Sequence, residues 1–147
     1  MATGGRKDPY RNFRFRVEID GITQAGFSDC SGFDATTDVI EYREGNEATT
    51  VRKLSGLTKY SNITLKWGIT DSMDLYNWRK KVIDAGAEGN RKNIAIICID
   101  EAGNDKARWE VSQSWPSKYD PPDFSAKGSD VAIETIEIVH EGVMRVK

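Results

Sequence analysis

Hydrophobic and polar residues alternate along most of this chain, which is the pattern of half-buried β-strands. Residues 12–19 place Phe15 and Val17 on one face and charged side chains on the other. Residues 62–69 repeat the pattern, with Leu65 and Trp67 on the apolar face. Further strands are predicted at residues 24–30, 37–44, 93–99, 107–115 and 132–139, and the run at 93–99 is apolar on both sides, as in a central strand.

The period changes after residue 69. Leu75, Trp78 and Val82 recur at helical spacing and predict one amphipathic helix. The aspartate and serine at residues 71–72 are suited to cap its start, and Gly86 is suited to end it. The chain is therefore predicted to be mainly β, of the α+β class. We expect a β-sandwich or small barrel of about seven strands, with the helix covering one end.

One predicted strand has no fully apolar side. In residues 37–44, Val39 shares its face with Thr37 and Glu41, so the strand buries little within its own domain. Residues 45–60 follow as a long polar segment, predicted to be a functional loop. Exposed strand edges are hazardous unless something covers them, and one solution is pairing between identical copies. Such a contact closes into a ring or extends as a filament.

Composition narrows the class of protein. The 147 residues fit one domain, and 38% hydrophobic with 30% charged residues is a globular balance. A net charge of -2 argues against a dedicated nucleic-acid binder. No apolar run is long enough for membrane insertion, and the first residues lack the apolar stretch of a secretory signal. The protein is therefore expected to be made and folded in the cytosol.

Side chains suited to catalysis are few. His140 is the only histidine, and Glu141 beside it points to the opposite face of a strand. The acidic residues 100–105 lack the spacing of a calcium loop and predict a solvated hairpin turn. Cys30 and Cys98 lack zinc-site spacing and are predicted to be buried thiols. No catalytic, cofactor-binding or metal-ligating residue is predicted, and the protein is not expected to be an enzyme.

Several segments resemble a known family, the tail tube proteins of contractile phage tails and extracellular contractile injection systems, which are distantly similar to the type VI secretion tube protein. Residues 52–68, RKLSGLTKYSNITLKWG, are similar to the family's RKLPGLxKYxNITLKRG segment. This chain departs from the family at Ser55 in place of proline, at Trp67 in place of arginine and at Cys30 in place of an aliphatic residue. Weaker similarities lie at residues 8–15, 26–33, 42–45, 115–119 and 136–142.

The resemblance implies a structural subunit of an inner tube. Members of that family form hexameric rings in which neighbouring sheets join into one continuous β-barrel around a lumen. Rings stack through the long loop, here residues 45–60, and through an N-terminal arm, here the flexible residues 1–9. A sheath surrounds the tube, which also meets a baseplate or initiator paralogue and a terminal cap. DNA or protein cargo passes through the lumen of a virion tail or an extracellular particle.

Individual residues follow from the same resemblance. Leu54 and Leu57 are predicted to plug into the adjacent ring. Contacts between rings and subunits are predicted for Tyr10, Arg11, Arg52, Lys53, Leu54, Leu57, Lys59 and Tyr60, and lumen-facing positions for Thr37, Asp38, Glu41, Arg43 and Glu44. Two alternatives stay open: a monomeric β-barrel module that binds nucleic acid or peptide, and an enzyme built on a β-sandwich. Rings or tubes seen by negative-stain electron microscopy would favour the tube subunit over both alternatives.

Overall fold

A computed structural model describes residues 14–22, 26–45, 49–69, 71–123 and 132–147, so the predicted arm at residues 1–9, with Tyr10 and Arg11, lies outside the described residues. Within these ranges the chain forms nine strands and one helix. They are β1 (Arg14–Ile19), β2 (Phe27–Ser31), β3 (Ala35–Tyr42), β4 (Arg52–Tyr60), β5 (Ile63–Gly68), α1 (Asp74–Ala85), β6 (Lys92–Ile99), β7 (Asp105–Asp120), β8 (Ile133–Val139) and β9 (Gly142–Arg145). The mainly β prediction with one helix is confirmed.

Seven strands form one antiparallel sheet in the order β1-β6-β7-β8-β5-β2, with β9 also paired to β7. The long strand β7 joins its two halves, because its first part pairs with β6 and β9 and its last part with β8. Between these parts Gln113 has a φ of 54°, an irregularity that turns the strand. Ser114 is therefore fully buried, and its hydroxyl donates to the carbonyl oxygen of Lys92.

The core lies between the two halves of this sheet and under α1. The predicted inward faces of β5 and α1 are confirmed, as is the burial of β6 on both faces. Trp67, which stands where the similar family segment has arginine, is only 2% exposed and packs edge-on against Phe27. The core cluster comprises Val17, Ile19, Ile63, Leu65, Trp67, Leu75, Trp78, Ile94, Ile96, Val111, Ile136 and Ile138.

The ends of α1 differ in how closely they follow prediction. Gly86 ends the helix as expected, and its N–H donates to the carbonyl oxygen of Val82 at 2.8 Å. The predicted cap at residues 71–72 is wrong, because the helix begins later and Met73 occupies the N-cap position without a side-chain hydrogen bond. The Ser72 hydroxyl is only a distant acceptor, 3.5 Å from the N–H of Asp74.

Three further differences from prediction concern the periphery of the fold. Residues 52–60 form β4, so the loop predicted for 45–60 is wrong in its second half. The strand was not predicted because it pairs with another polar strand and lacks the regular apolar alternation of a core strand. Cys30 and Cys98 are half-buried rather than buried, and neither forms a disulfide. Strand β9 was not predicted, since its four residues are too few to show a period.

A glycine directs the chain out of this body towards β3. Gly32 has a φ of 90°, a conformation that favours glycine, and a side chain there would overlap the carbonyl oxygen of Asn62. Two hydrogen bonds then join the next turn to the start of β5: the N–H of Ser61 donates to the carbonyl oxygen of Asp34 at 3.2 Å, and its hydroxyl donates to the carboxylate at 3.0 Å. These contacts fix where β3 and β4 leave the body of the fold.

Candidate functional site

Strands β3 and β4 pair with each other and form a two-stranded sheet of their own, which we call the β3–β4 hairpin (residues 35–60). All eight residues of β3 are exposed, and β4 is exposed at seven of its nine positions. An isolated two-stranded hairpin is marginally stable in water at best. The exposure therefore makes the hairpin the candidate interaction surface of the chain.

The base of the hairpin is fixed to the body by aromatic contacts. Phe33 packs edge-on against Trp109 of β7, with ring centroids 5.5 Å apart. The guanidinium of Arg145 lies 5.3 Å from the centroid of the Trp109 ring. Contacts of this kind add about 0.5–1.5 kcal/mol beyond the burial of area. The hairpin thus projects from a rigid anchor rather than from a free linker.

The single histidine belongs to this anchor. Nε2 of His140 lies 2.9 Å from the carbonyl oxygen of Ser61, and since a carbonyl only accepts, the ring donates this hydrogen bond. The ring also lies 5.6 Å from that of Tyr60, while Nδ1 is buried without a hydrogen-bond partner among the described residues. Glu141 points away and pairs with Arg91 at 3.1 Å. The arrangement anchors the hairpin and contains no orienting carboxylate of the kind a catalytic base requires.

The register between β3 and β4 sorts the hairpin's side chains onto two faces, because residues paired across strands point the same way. Glu41 lies opposite Lys53 on one face, and Ile40 lies opposite Leu54 on the other. We call the first the polar face; it carries Thr37, Val39, Glu41, Lys53, Ser55 and Thr58. We call the second the apolar face; it carries Ile40, Tyr42 and Leu54, flanked by Asp38, Arg52 and Lys59.

Short-range bonds stabilise both faces. On the polar face the hydroxyls of Thr37 and Thr58 lie 2.9 Å apart. At the margin of the apolar face the ammonium of Lys59 lies 3.4 Å from the carboxylate of Asp38. Both side chains of this ion pair are at least half exposed, so it contributes little stability by itself. The ion pair therefore adds little to the stability of a hairpin that is marginal by itself.

A β-bulge interrupts β4 opposite Asp38, where the register shifts between Thr37 and Val39. Gly56 lies within it, and a side chain there would meet the backbone of Asp38 at 3.2 Å, a tight contact that glycine avoids. The neighbouring Leu57 is 74% exposed. Together with Ile40 at 50% and Leu54 at 49%, it forms an exposed apolar patch of the kind that marks an interaction site.

The structure places the predicted site residues in several environments. Leu54 lies on the apolar face and Leu57 in the bulge, and both side chains are exposed; their predicted contact with the adjacent ring stays a prediction. Among the predicted lumen-facing residues, Asp38 points away from Thr37 and Glu41, so these three cannot line one surface. Arg43 and Glu44 follow the end of β3, while Arg52, Lys53, Lys59 and Tyr60 lie along β4, with Tyr60 half-buried at its end.

Ile40 and Tyr42 share a face with Leu54 but were not among the predicted contact residues. Their signal was present in the alternation of residues 35–42, but it could be used only with the register against β4. Because residues 52–60 were predicted as loop, the pairing of Ile40 with Leu54 could not be seen. The apolar face exists only when both strands are placed together.

The acidic turn outside the hairpin shows no ligand-binding arrangement. One carboxylate oxygen of Asp100 accepts the backbone N–H groups of Ala102 and Asn104 at 3.0 and 2.8 Å. The bond from Asn104 is the main reason that the pKa of Asp100 is lowered. In the ranges that the structure describes, no group of three His, Cys, Asp or Glu side chains is placed to hold a metal ion. The described part of the chain also has no helix with the length and apolarity needed to cross a bilayer.

Comparisons with known proteins agree with this architecture. The family model described as T4-like virus tail tube protein gp19 matches residues 11–144. The chain is 27% identical to a protein of the PVC sheath/tube terminator of an extracellular contractile injection system, covering 96% of this chain and 99% of that one, with a TM-score of 0.81. A protein of the PVC sheath-tube complex is 26% identical, with coverage of 99% and 97% and a TM-score of 0.79.

A more distant structure shares the fold alone. Hcp1 from Flavobacterium johnsoniae is 15% identical over 90% of this chain and 94% of that one, with a TM-score of 0.58. The predicted distant similarity to type VI tube proteins is thereby confirmed at the level of the fold. A comparison with curated protein sequences gives no match.

Proposed function

The chain belongs to the family of T4-like virus tail tube proteins, and from this premise we propose that its copies close into hexameric rings that stack into a hollow tube. Its role as a structural inner-tube protein of a phage tail or contractile injection system follows from the family and from its similarity to injection-system proteins. The observation that carries the proposal is the β3–β4 hairpin, whose strand β3 is exposed along its entire length.

The two faces of the hairpin have separate roles in this tube. The apolar face packs against a neighbouring copy, which removes Ile40 and Leu54 from water. The polar face lines the lumen, where hydroxyls and the opposed Glu41 and Lys53 offer no strong attraction to passing cargo. Leu57 projects from the bulge and plugs into the adjacent ring. This assignment removes Asp38 from the predicted lumen set, because Asp38 lies on the apolar side, while Arg43 and Glu44 beyond the end of β3 keep their predicted place.

Strand edges supply the remaining contacts. β1 and β2 end the order of the seven-stranded sheet, and each therefore presents one row of backbone groups outside that order. Pairing such edges between copies satisfies these groups and removes the hazard of non-specific pairing. A stable contact of this type buries more than about 1,000 Å².

The assembled tube has partners at its side and its ends. We infer a sheath around it, because the similar PVC chains belong to a sheath-tube complex and a sheath/tube terminator. A terminal cap and a baseplate or initiator paralogue complete the particle, and DNA or protein passes through the lumen. Assembly takes place in the bacterial cytoplasm, before the virion tail or extracellular particle is released. The alternative of a monomeric binding module is discarded, because the matching family is one of tube proteins.

Removing the hairpin tests the proposal. Ala35 and Tyr60 are paired across the hairpin's base, so a short glycine-serine linker between them can replace residues 36–59. Since β3 and β4 pair with each other and not with the large sheet, the variant should unfold at nearly the parent temperature but form neither rings nor tubes under negative stain. The same linker inserted after Ala102, in the exposed turn before β7, is the control and should leave tubes intact.

Two results would contradict the proposal. One is a hairpin-deleted protein that still forms tubes. The other is a parent protein that stays a monodisperse 16.5 kDa monomer at high concentration, with and without sheath protein.

A further inference from the structure

The single histidine of the chain, His140, directly follows β8 and lies at the base of the hairpin. Histidine is the side chain that ordinarily changes its charge between pH 5 and 8, so a response of this chain to pH in that range depends first on this residue. Its Nε2 lies 2.9 Å from the carbonyl oxygen of Ser61, the residue that follows β4. The charge of the ring therefore bears on how the hairpin is held.

The neutral ring fits this site. Because the carbonyl oxygen of Ser61 only accepts, the proton of a neutral ring is on Nε2, and Nδ1 carries a lone pair. Nδ1 is buried and has no hydrogen-bond partner within the ranges that the structure describes. A neutral His140 thus makes its one possible donor bond and places no unpaired N–H inside the protein.

A second proton changes the site. It is added at Nδ1, since Nε2 already carries one, and it makes the buried atom a positively charged N–H donor. Burying an unpaired donor is unfavourable, and burying a charge without a partner is more so. The charged ring has to move until water reaches Nδ1, and this movement separates Nε2 from the carbonyl oxygen of Ser61.

The acidic groups around His140 are engaged elsewhere. Three carboxylates lie beside the ring in sequence or across the neighbouring strands, and each accepts a hydrogen bond from another side chain. They are Asp34, bonded to the Ser61 hydroxyl at 3.0 Å, Glu137, bonded to the Asn62 amide at 3.1 Å, and Glu141, bonded to the Arg91 guanidinium at 3.1 Å. In the described part of the chain none of them accepts a hydrogen bond from Nδ1.

The remaining neighbours do not supply an acceptor. Trp115 and Pro116, which β7 pairs with the end of β8, carry no charge. The ring of Tyr60 lies 5.6 Å from that of His140 with its plane tilted by 53°. Attraction between a cation and an aromatic ring is greatest over the face of the ring, so this geometry compensates only weakly for a charge. A protonated ring therefore gains no direct hydrogen bond from the groups packed around it.

The position of the ring gives it leverage over the hairpin. Tyr60 pairs with Ala35 at the hairpin's base, and β3 and β4 pair with no other strand in the described residues. The eight residues of β3 extend about 26 Å, so a rotation of about 10° at the base moves the far end by roughly 4–5 Å. The contact of Phe33 with Trp109 holds the β3 side independently. Loss of the His140 contact therefore redirects the hairpin without unfolding the body.

We propose that His140 is a pH-sensitive anchor of the β3–β4 hairpin, which holds the hairpin in its assembling position when the ring is neutral and releases it when the ring is protonated. The inference rests on the proposed function, because the hairpin is the surface through which copies join. The neutral ring fits the site and the charged ring does not. Tubes are therefore favoured above the range in which histidine titrates and weakened as the pH falls through it.

The test compares the parent protein with two variants, His140→Gln and Glu141→Gln. Glutamine presents an amide N–H to Ser61 in place of Nε2–H but gains no proton in this range. Glu141→Gln removes the neighbouring titratable group and leaves His140 in place, so it is the matched control. Tubes of each protein are pelleted at equilibrium at about pH 7.5 and about pH 5.5 and at one ionic strength, and the protein left in the supernatant is measured.

We expect the supernatant concentration of the parent to be about tenfold higher at the lower pH, which corresponds to about 1.4 kcal/mol. Glu141→Gln should show the same ratio between the two pH values, and His140→Gln a ratio near one. A ratio near one for the parent would overturn the proposal. Equal ratios for the parent and His140→Gln, or a ratio near one for Glu141→Gln, would assign the response to other groups and overturn it as well.

A second measurement uses the unassembled parent alone, so it decides the matter even if His140→Gln fails to fold. Long-range proton–nitrogen NMR spectra report the tautomer and charge of the ring, and hydrogen exchange, corrected for its intrinsic dependence on pH, reports the protection of the β3 and β4 amides. We expect the Nε2–H tautomer at neutral pH, and a loss of hairpin protection, but not of β5 and β8 protection, as the ring becomes charged.

The two failures can be told apart. Hairpin amides that stay protected while the ring is charged would refute the role of His140, whatever the tubes do. Absence of tubes from the parent at both pH values would instead count against the proposed function, and the exchange measurement would still test the anchor.

Discussion

Replacing Leu57 by serine separates folding from assembly. The side chain is 74% exposed in the single chain. Complete burial of a leucine is worth about 1.5–3 kcal/mol, so covering the exposed part in the tube contributes about 1–2 kcal/mol per subunit. A loss of this size raises the concentration needed for tube growth about five- to thirtyfold, since 1.4 kcal/mol corresponds to a factor of ten. The monomer loses little, because the side chain contacts little of its own chain.

The assay is the protein concentration that remains in the supernatant when tubes are pelleted at equilibrium. Circular dichroism measures the unfolding temperature of the unassembled protein in parallel. Val39→Ser is the matched control: Val39 is 65% exposed, but it lies on the polar face that we assign to the lumen. We expect the supernatant concentration to rise for Leu57→Ser and to stay near the parent value for Val39→Ser.

Each deviation would have a definite meaning. If Leu57→Ser polymerises at the parent concentration, Leu57 contacts no neighbouring copy and the plug assignment fails. If Val39→Ser shows the larger effect, the two faces of the hairpin are assigned the wrong way round. A lower unfolding temperature for Leu57→Ser would mean that the residue stabilises its own chain, contrary to its exposure.

Three further predictions concern the body of the subunit. Gly32→Ala should cost several kcal/mol of unfolding free energy, whereas Gly103→Ala, at a φ of 86° with nothing nearby, should cost only about 1 kcal/mol; urea denaturation compares them. Tyr119→Phe should lose about 1–3 kcal/mol because Glu134 loses its hydrogen-bond donor. Burial, and after it the hydrogen bond and charge of Glu134, raises the pKa of Tyr119 from 10.0 to about 12. The tyrosine therefore contributes its full stabilisation below pH 10 and loses it as pH rises to 12. The unfolding free energy of Tyr119→Phe should fall less than that of the parent over this range. Burial raises the pKa of Cys30 from 9.0 to about 12, so native protein should alkylate there far more slowly at pH 9 than unfolded protein, as mass spectrometry of the labelled peptide would show.

The core was predictable because period and burial coincide there. In β5 every second residue is apolar and fully or nearly buried, from Ile63 to Trp67, so the alternation alone places the strand. In α1, Leu75, Trp78 and Val82 lie on one side of the helix and all three are buried. These signals are local, and each can be seen within one turn or one strand.

The hairpin was only half predictable, because its signal is shared between two strands and another molecule. β3 was predicted with a shift of two residues, and its lack of an apolar side correctly marked it as exposed. β4 was predicted as loop, since Gly56 and the bulge break its alternation. Alternation predicts a strand only where one of its faces is buried within the same chain, and β4 is exposed at seven of its nine positions. The turn of β7 at Gln113 was missed for a different reason, because glutamine does not mark a residue with positive φ.

Exposure of apolar residues then separates two kinds of sequence constraint in this chain. Trp67 is large, apolar and buried, and it belongs to the core although the similar family segment has arginine at this position. Substituting Trp67 by a smaller residue should therefore lower the unfolding temperature. Leu57 and Ile40 are also apolar but lie exposed on a hairpin that is marginal by itself, so selection can act on them only through the assembled state. A tube that grows by addition of subunits requires two properties. Each subunit must be stable without its neighbours, and its hairpin must gain stability when a neighbour covers it. The body gives each copy a fixed shape before it joins, and the hairpin ensures that only joining removes its apolar face from water.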